Sequence, residues 1–150
     1  MKKKLIIGIL LVTMIVIFGC TQATPDPTLP KIQLYKSPTC GCCVGHAAIL
    51  TGDLFDVETI PMENMNAIKQ EFNIPREYSS CHTIIIGDYF VEGHIPTEII
   101  KRLLDDQPDI DGIALPGMPA GTPGMPGIKT ETWTIYSIKD GKVVDIFAKI

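Results

Sequence analysis

From residue 31 onward the apolar positions fall into short runs that change period. Lys31-Ile32-Gln33-Leu34-Tyr35-Lys36 alternates strictly and predicts a strand over 31–36. Ser37-Pro38-Thr39 breaks it, and a helix is expected from about 42 to 50, with Gly52 just past its end. A short strand is expected over 55–60. A helix over 64–72 follows, with Met65, Ile68 and Phe72 on one face, and Pro75 closes it. Thr83-Ile84-Ile85-Ile86 is apolar enough for a central strand, and Gly87-Asp88 turns it into Tyr89-Phe90-Val91-Glu92 as a hairpin. A proline-opened helix over 96–106 places Ile99, Ile100, Leu103 and Leu104 toward the core.

The expected order is β-α-β-α-β-β-α, with Cys40 and Cys43 at the first strand–helix junction. That is an α/β arrangement of the thioredoxin-like kind. Residues 112–127 differ: Pro116-Gly117-Met118-Pro119 recurs as Pro123-Gly124-Met125-Pro126. Glycine and proline argue against helix or central strand, so a Gly/Pro/Met-rich loop is expected, either functional or disordered. Residues 132–138 and 142–147, joined at Asp140-Gly141, predict a terminal β-hairpin.

The N-terminal apolar run has another meaning. Lys2, Lys3 and Lys4 precede an uncharged stretch over 5–18, the pattern of an export leader and too short for a confident membrane span. Ile17-Phe18-Gly19-Cys20-Thr21 is lipobox-like, which makes Cys20 a candidate for lipidation, with ordinary cleavage or an uncleaved anchor as the alternatives. The expected organisation is a leader over 1–20, a Pro/Thr linker over 21–30, and one metal-binding domain over 31–150. The chain is then exported and tethered to a membrane through Cys20, on the periplasmic or extracellular side. The formal net charge is −4, and removing the three leader lysines makes the remainder more acidic, which argues against a nucleic-acid partner.

Five cysteines less Cys20 leave Cys40, Cys42, Cys43 and Cys81. Exported proteins ordinarily use cysteines in structural disulfides, but three thiols in four residues make a poor framework. A helix N-terminus stabilises thiolate, which is both the nucleophile in disulfide exchange and a soft metal ligand. Crowded thiolates can share Cu(I) ions, so a polynuclear site is expected, with a buried Cys40–Cys43 disulfide and Cys42 as a spare core residue as the bland alternative. Cys81-His82, on the loop before the third strand, can add a sulfur and an imidazole, with a small filler and a backbone-bonded loop histidine as the bland alternatives. Met118 and Met125 are thioethers with no core periodicity, so they are candidate Cu(I) ligands or flexible surface anchors. His94, at the mouth of the third helix, is a ligand or a turn filler. His46 follows the cysteines by one helical turn, which puts it within reach of the site, but a solvent-facing side chain is the expectation.

Tyr35-Lys36-Ser37-Pro38-Thr39-Cys40-Gly41-Cys42-Cys43 resembles the signature of the CopG-like copper-handling family, with its C-x-C-C motif. Ser80-Cys81-His82-Thr83, Val91-Glu92-Gly93-His94-Ile95-Pro96 and Leu115-Pro116-Gly117-Met118-Pro119 with Gly124-Met125 match it in order, over about 31–127. Val44-Gly45-His46 departs from the pattern in lacking an aromatic. The resemblance implies a thioredoxin-like domain whose C-terminal extension joins the metal site, and an exported protein of copper resistance. It also implies a thiolate-bridged copper cluster with a role in copper redox chemistry. By motif position it carries over Cys40, Cys42, Cys43 and Cys81 as ligands, and with them His94 and the Pro-Gly-Met methionines.

The expected function is an extracytoplasmic copper-binding protein that holds Cu(I) and cycles or sequesters it. It would act as a monomer, with copper ions and a copper-transfer or electron-transfer protein as partners. Two rivals stand: a thiol-disulfide oxidoreductase with Cys40 as nucleophile and Cys43 as resolving thiol, and a zinc or general metal-binding module. Ser80-Cys81-His82-Thr83 has no proline where such oxidoreductases carry one facing the dithiol, and zinc needs no methionines.

Overall fold

The computed structural model describes residues 24–150. Cys20 and the expected leader lie outside them. Among the described residues there are seven strands and three α-helices: β1 (Ile32–Lys36), α1 (Gly41–Gly52), β2 (Val57–Pro61), α2 (Met65–Glu71), β3 (His82–Ile86), β4 (Tyr89–Glu92), α3 (Thr97–Asp106), β5 (Gly112–Ala114), β6 (Thr134–Lys139) and β7 (Lys142–Lys149). All strands join one mixed sheet in the order β2-β1-β3-β4-β5-β6-β7.

Two crossovers set its topology. β1 and β2 run parallel across α1, and β4 and β5 run parallel across α3. Parallel neighbours need a crossover connection of this kind, whereas the antiparallel β3–β4 pair closes through a tight turn at Gly87-Asp88. Alternation along each strand sorts side chains onto two faces. Ile32, Leu34, Ile84, Ile86, Val91, Ile113 and Ile135 pack with α1 and α3 through Leu50, Ile99, Ile100 and Leu103. Phe90, Ala114 and Ile138 form a smaller core on the other face with Ile74 and Phe72, beside α2.

β5 corrects the sequence reading, which assigned 112–127 wholly to loop. Its three residues lie inside the sheet, with Phe90↔Gly112 on one side and Gly112↔Ile138 on the other. Glycine is tolerated because the Phe90 ring occupies the missing side chain's place: a Cβ on Gly112 would sit 2.5 Å from the ring's Cγ. The remainder of the segment is an ordered loop. Thr122 donates through Oγ1 to the Pro119 carbonyl (2.7 Å), and the Met125 N–H bonds the Thr122 carbonyl (2.8 Å).

Smaller differences are local. Pro96 is the N-cap of α3 rather than its first helical residue, and Leu104 is only partly buried while Ile99, Ile100 and Leu103 are buried. The described end of the expected linker folds back on the domain, with the Asp26 N–H bonding the Leu54 carbonyl (2.7 Å) and Leu29 packed on the core.

Candidate metal centre

The C-terminal end of β1 delivers the chain to a turn closed by the Cys40 N–H to Ser37 carbonyl bond (3.1 Å). Buried Lys36 braces it from below, its ammonium donating to the carbonyls of Ser37 (2.9 Å) and Pro38 (3.3 Å). Cys40 is the N-cap of α1, in extended backbone, so Cys42 and Cys43 ride on the first turn among its unpaired N–H groups. Cys43, His46 and Leu50 form the buried stripe of that helix. The Ser79–Cys81 loop, entering β3, lies opposite.

Four sulfurs meet between these two segments. Cys40 and Cys43 are joined as a disulfide. Cys42 Sγ is 3.5 Å from Cys40 Sγ and 4.0 Å from Cys81 Sγ, and Cys43 Sγ is 3.5 Å from Cys81 Sγ. Two imidazoles complete the group: His82 Nδ1 lies 3.3 Å and His94 Nε2 3.1 Å from Cys81 Sγ. Cys81 thus touches both halves of the site. Two overlapping sets can each gather on one ion, Cys40, Cys42, Cys43 and Cys81, and Cys43, Cys81, His82 and His94.

The protons follow from the backbone. A carbonyl oxygen only accepts, so His94, whose Nδ1 is 2.7 Å from the Pro123 carbonyl, carries its hydrogen there and turns a bare Nε2 to Cys81. His46 Nε2 donates to the Ile95 carbonyl (3.0 Å), which leaves Nδ1 to accept from His82 Nε2 (2.9 Å). His82 therefore also turns a bare nitrogen, Nδ1, to Cys81. Burial, reinforced by the nearby Cys42 sulfur, pushes the Cys81 thiol up to about 12, so without a metal it keeps its single hydrogen. One S–H cannot satisfy two lone pairs. The pocket is short of one positive centre, and soft sulfur with imidazole nitrogen is a donor set that suits copper or zinc.

The histidines are held neutral by burial. His46 falls to about 4, and His82 and His94 also lie below the ordinary histidine value. The unfolded chain, with histidines near 6.5, binds protons that the folded chain refuses, so stability falls as pH drops from about 6.5 through about 4. His46 alone contributes roughly 3 kcal/mol of that loss. Urea unfolding of the metal-free chain at neutral pH and at about pH 4.5 measures it. A His46→Gln variant should lose less across the same interval.

His46 corrects the expectation of a solvent-facing side chain: it is fully buried. Its signal was present in the 3- and 4-residue spacing of Cys43, His46 and Leu50. Sequence reasoning also missed a buried ionic network under the site. Lys69 of α2 pairs with Glu92 of β4, donates to Thr83 Oγ1 (3.1 Å), and Thr83 donates to Glu92 Oε2 (2.6 Å). Glu92 also accepts from the Ser80 N–H, the residue before Cys81.

The two methionines are placed differently. Met118 is 39% exposed on the loop surface. Met125 is half-buried, next to Gly124, which lies against the first turns of α1. Gly124 has a φ of +81°, and a Cβ there would lie 2.5 Å from the His46 backbone nitrogen and 2.6 Å from the Cys42 carbonyl oxygen. Gly124→Ala should therefore lift the loop from α1 and cost about 1–3 kcal/mol, read as a lower urea midpoint.

The family described as "Protein of unknown function, DUF411" matches residues 78–125, which span the Cys81 loop, His94 and the Pro-Gly-Met loop. Two solved structures are similar: copper resistance protein copG, form 2, at 31% identity, covering 81% of this chain and 98% of that one with a TM-score of 0.75, and form 1, at the same identity and coverage with 0.74. No curated protein sequence is significantly similar. With the sulfur–imidazole cluster in place and this likeness running over nearly the whole of the copG chain, the protein belongs to the CopG-like copper-handling family.

Proposed function

We propose that the chain is an extracytoplasmic copper-tolerance protein that holds Cu(I) in a polynuclear thiolate cluster. The observation that carries this is the meeting of two bare imidazole nitrogens and three further sulfurs around Cys81. Cys40, Cys42, Cys43 and Cys81 are the sulfur ligands, His82 and His94 the nitrogen ligands, and Met118 and Met125 thioether donors from the loop. The frame is thioredoxin-like in this reading, supported by the β2-β1-β3-β4 order with a Cys pair at the β1–α1 junction. A lipid on Cys20 tethers the domain outside the cytoplasm, where copper and a copper- or electron-transfer protein reach it.

The disulfide gives the cluster a redox partner within the chain. Two thiolates, Cys40 and Cys43, can pass one electron each to two Cu(II) ions, yielding two Cu(I) and the disulfide, so oxidation of the pair balances reduction of the substrate. Holding all four sulfurs on copper requires the pair reduced. The same disulfide is the observation that favours the second reading, a thiol-disulfide oxidoreductase.

Anaerobic binding to the reduced and the disulfide forms of the full chain separates them. Tight Cu(I) binding by the reduced form, sharply weakened in the disulfide form, with slow turnover of a model disulfide, is expected. Rapid disulfide turnover that survives Cys42→Ser and Cys81→Ser would favour the oxidoreductase instead.

A further inference from the structure

His46 touches none of the four sulfurs within hydrogen-bonding distance, yet it is fully buried among the ligand imidazoles. Its ring meets His82 edge-on at 5.0 Å between centroids and stacks on His94 at 5.3 Å. Its two nitrogens have different partners, and each bond fixes the next. The Ile95 carbonyl demands a hydrogen on His46 Nε2; His46 Nδ1 is then an acceptor; His82 must place its own hydrogen on Nε2. Only then does His82 offer a lone pair from Nδ1, the nitrogen 3.3 Å from Cys81 Sγ.

We infer that His46 is a positioning residue: it transmits the Ile95 carbonyl's demand for a hydrogen to His82 and so locks His82 with its Nδ1 lone pair on the Cys81 sulfur. His94 achieves the same end directly, through the Pro123 carbonyl. The ring orientation of a ligating histidine is commonly set by an acceptor on its far nitrogen, and here a second imidazole supplies that acceptor. The tautomer assignment stands on hydrogen bonding alone; its consequence for copper rests on the cluster reading above.

The test is long-range ¹H–¹⁵N correlation NMR of the metal-free, reduced full chain at neutral pH, which reports each histidine's protonated nitrogen. The wild type should show His46 and His82 protonated at Nε2 and His94 at Nδ1. His46→Phe, which keeps a ring but has no acceptor, should release His82 to a mixture of tautomers. It should also weaken Cu(I) binding in a chelator competition by roughly 10–100-fold. His46→Gln carries both an amide donor for Ile95 and a carbonyl acceptor for His82, so it should restore the His82 tautomer and most of the affinity. A His82 ring protonated at Nδ1 in the wild type, or unchanged in tautomer in His46→Phe, would overturn the inference. Should His46→Phe not fold, the wild-type spectrum and His46→Gln decide it. If the wild type shows the expected tautomers but takes no copper, the copper reading fails while the positioning stands.

Discussion

Glu92→Ala is expected to lower the stability of the folded chain by roughly 3–5 kcal/mol, the cost of stranding a buried charge. Glu92 is fully buried on the α2 face of β4, and it accepts from Lys69, Thr83 and the Ser80 N–H. Its removal leaves the Lys69 ammonium without its counter-charge in a place where Lys69 is 7% exposed. The urea midpoint should fall at unchanged m-value. A partner change sharpens the test: Lys69→Met in a Glu92→Gln background should recover much of the loss, because removing both charges avoids the stranded one. A loss below about 1 kcal/mol for Glu92→Ala would mean that water already reaches the pair. The substitution should also weaken metal binding, because the Ser80 N–H bond anchors the loop that carries Cys81.

Cys81→Ser carries the second large effect. Cys81 Sγ is the atom in contact with both halves of the site, close to Cys42, Cys43, His82 and His94. Serine is nearly isosteric but offers a hard oxygen that does not give up its proton at neutral pH. Cu(I) affinity should therefore drop by more than roughly 100-fold, beyond what loss of an outer-shell partner costs. Stability of the metal-free chain should move by less than about 1 kcal/mol, because Cys81 is only half-buried and forms no disulfide. Affinity and stability moving together would point to a structural rather than a ligating role.

Legibility in the sequence tracked locality. β1, β3, β4 and the β6–β7 hairpin were readable because the alternation of 31–36, the apolar run of 83–86 and the Gly87-Asp88 and Asp140-Gly141 turns are each encoded within a few residues. β5 was not, because Gly112-Ile113-Ala114 owes its strand to Phe90 on one side and Ile138 on the other, partners 22 and 26 residues distant in chain numbering. The same distinction holds at the site. The C-G-C-C turn and Cys81-His82 announce soft-ligand chemistry by residue type, and the fold brings them together. His94 joins them through a carbonyl of the Pro-Gly-Met loop, which composition marked as unusual without saying what it touches. His46 was misplaced because a histidine on a short helix reads as polar, while its stripe with Cys43 and Leu50 carried the opposite message. The Lys69–Glu92 pair joins α2 to β4, and no pattern within either element marks it.

The central claim is that Cys42 and Cys81 turn a dithiol turn into a multi-copper site. Its most direct test is the anaerobic Cu(I) stoichiometry of the reduced full chain, with Cys42→Ser alongside. The account predicts more than one tightly held Cu(I) per chain, falling in Cys42→Ser. At most one Cu(I), unchanged by Cys42→Ser, would contradict it.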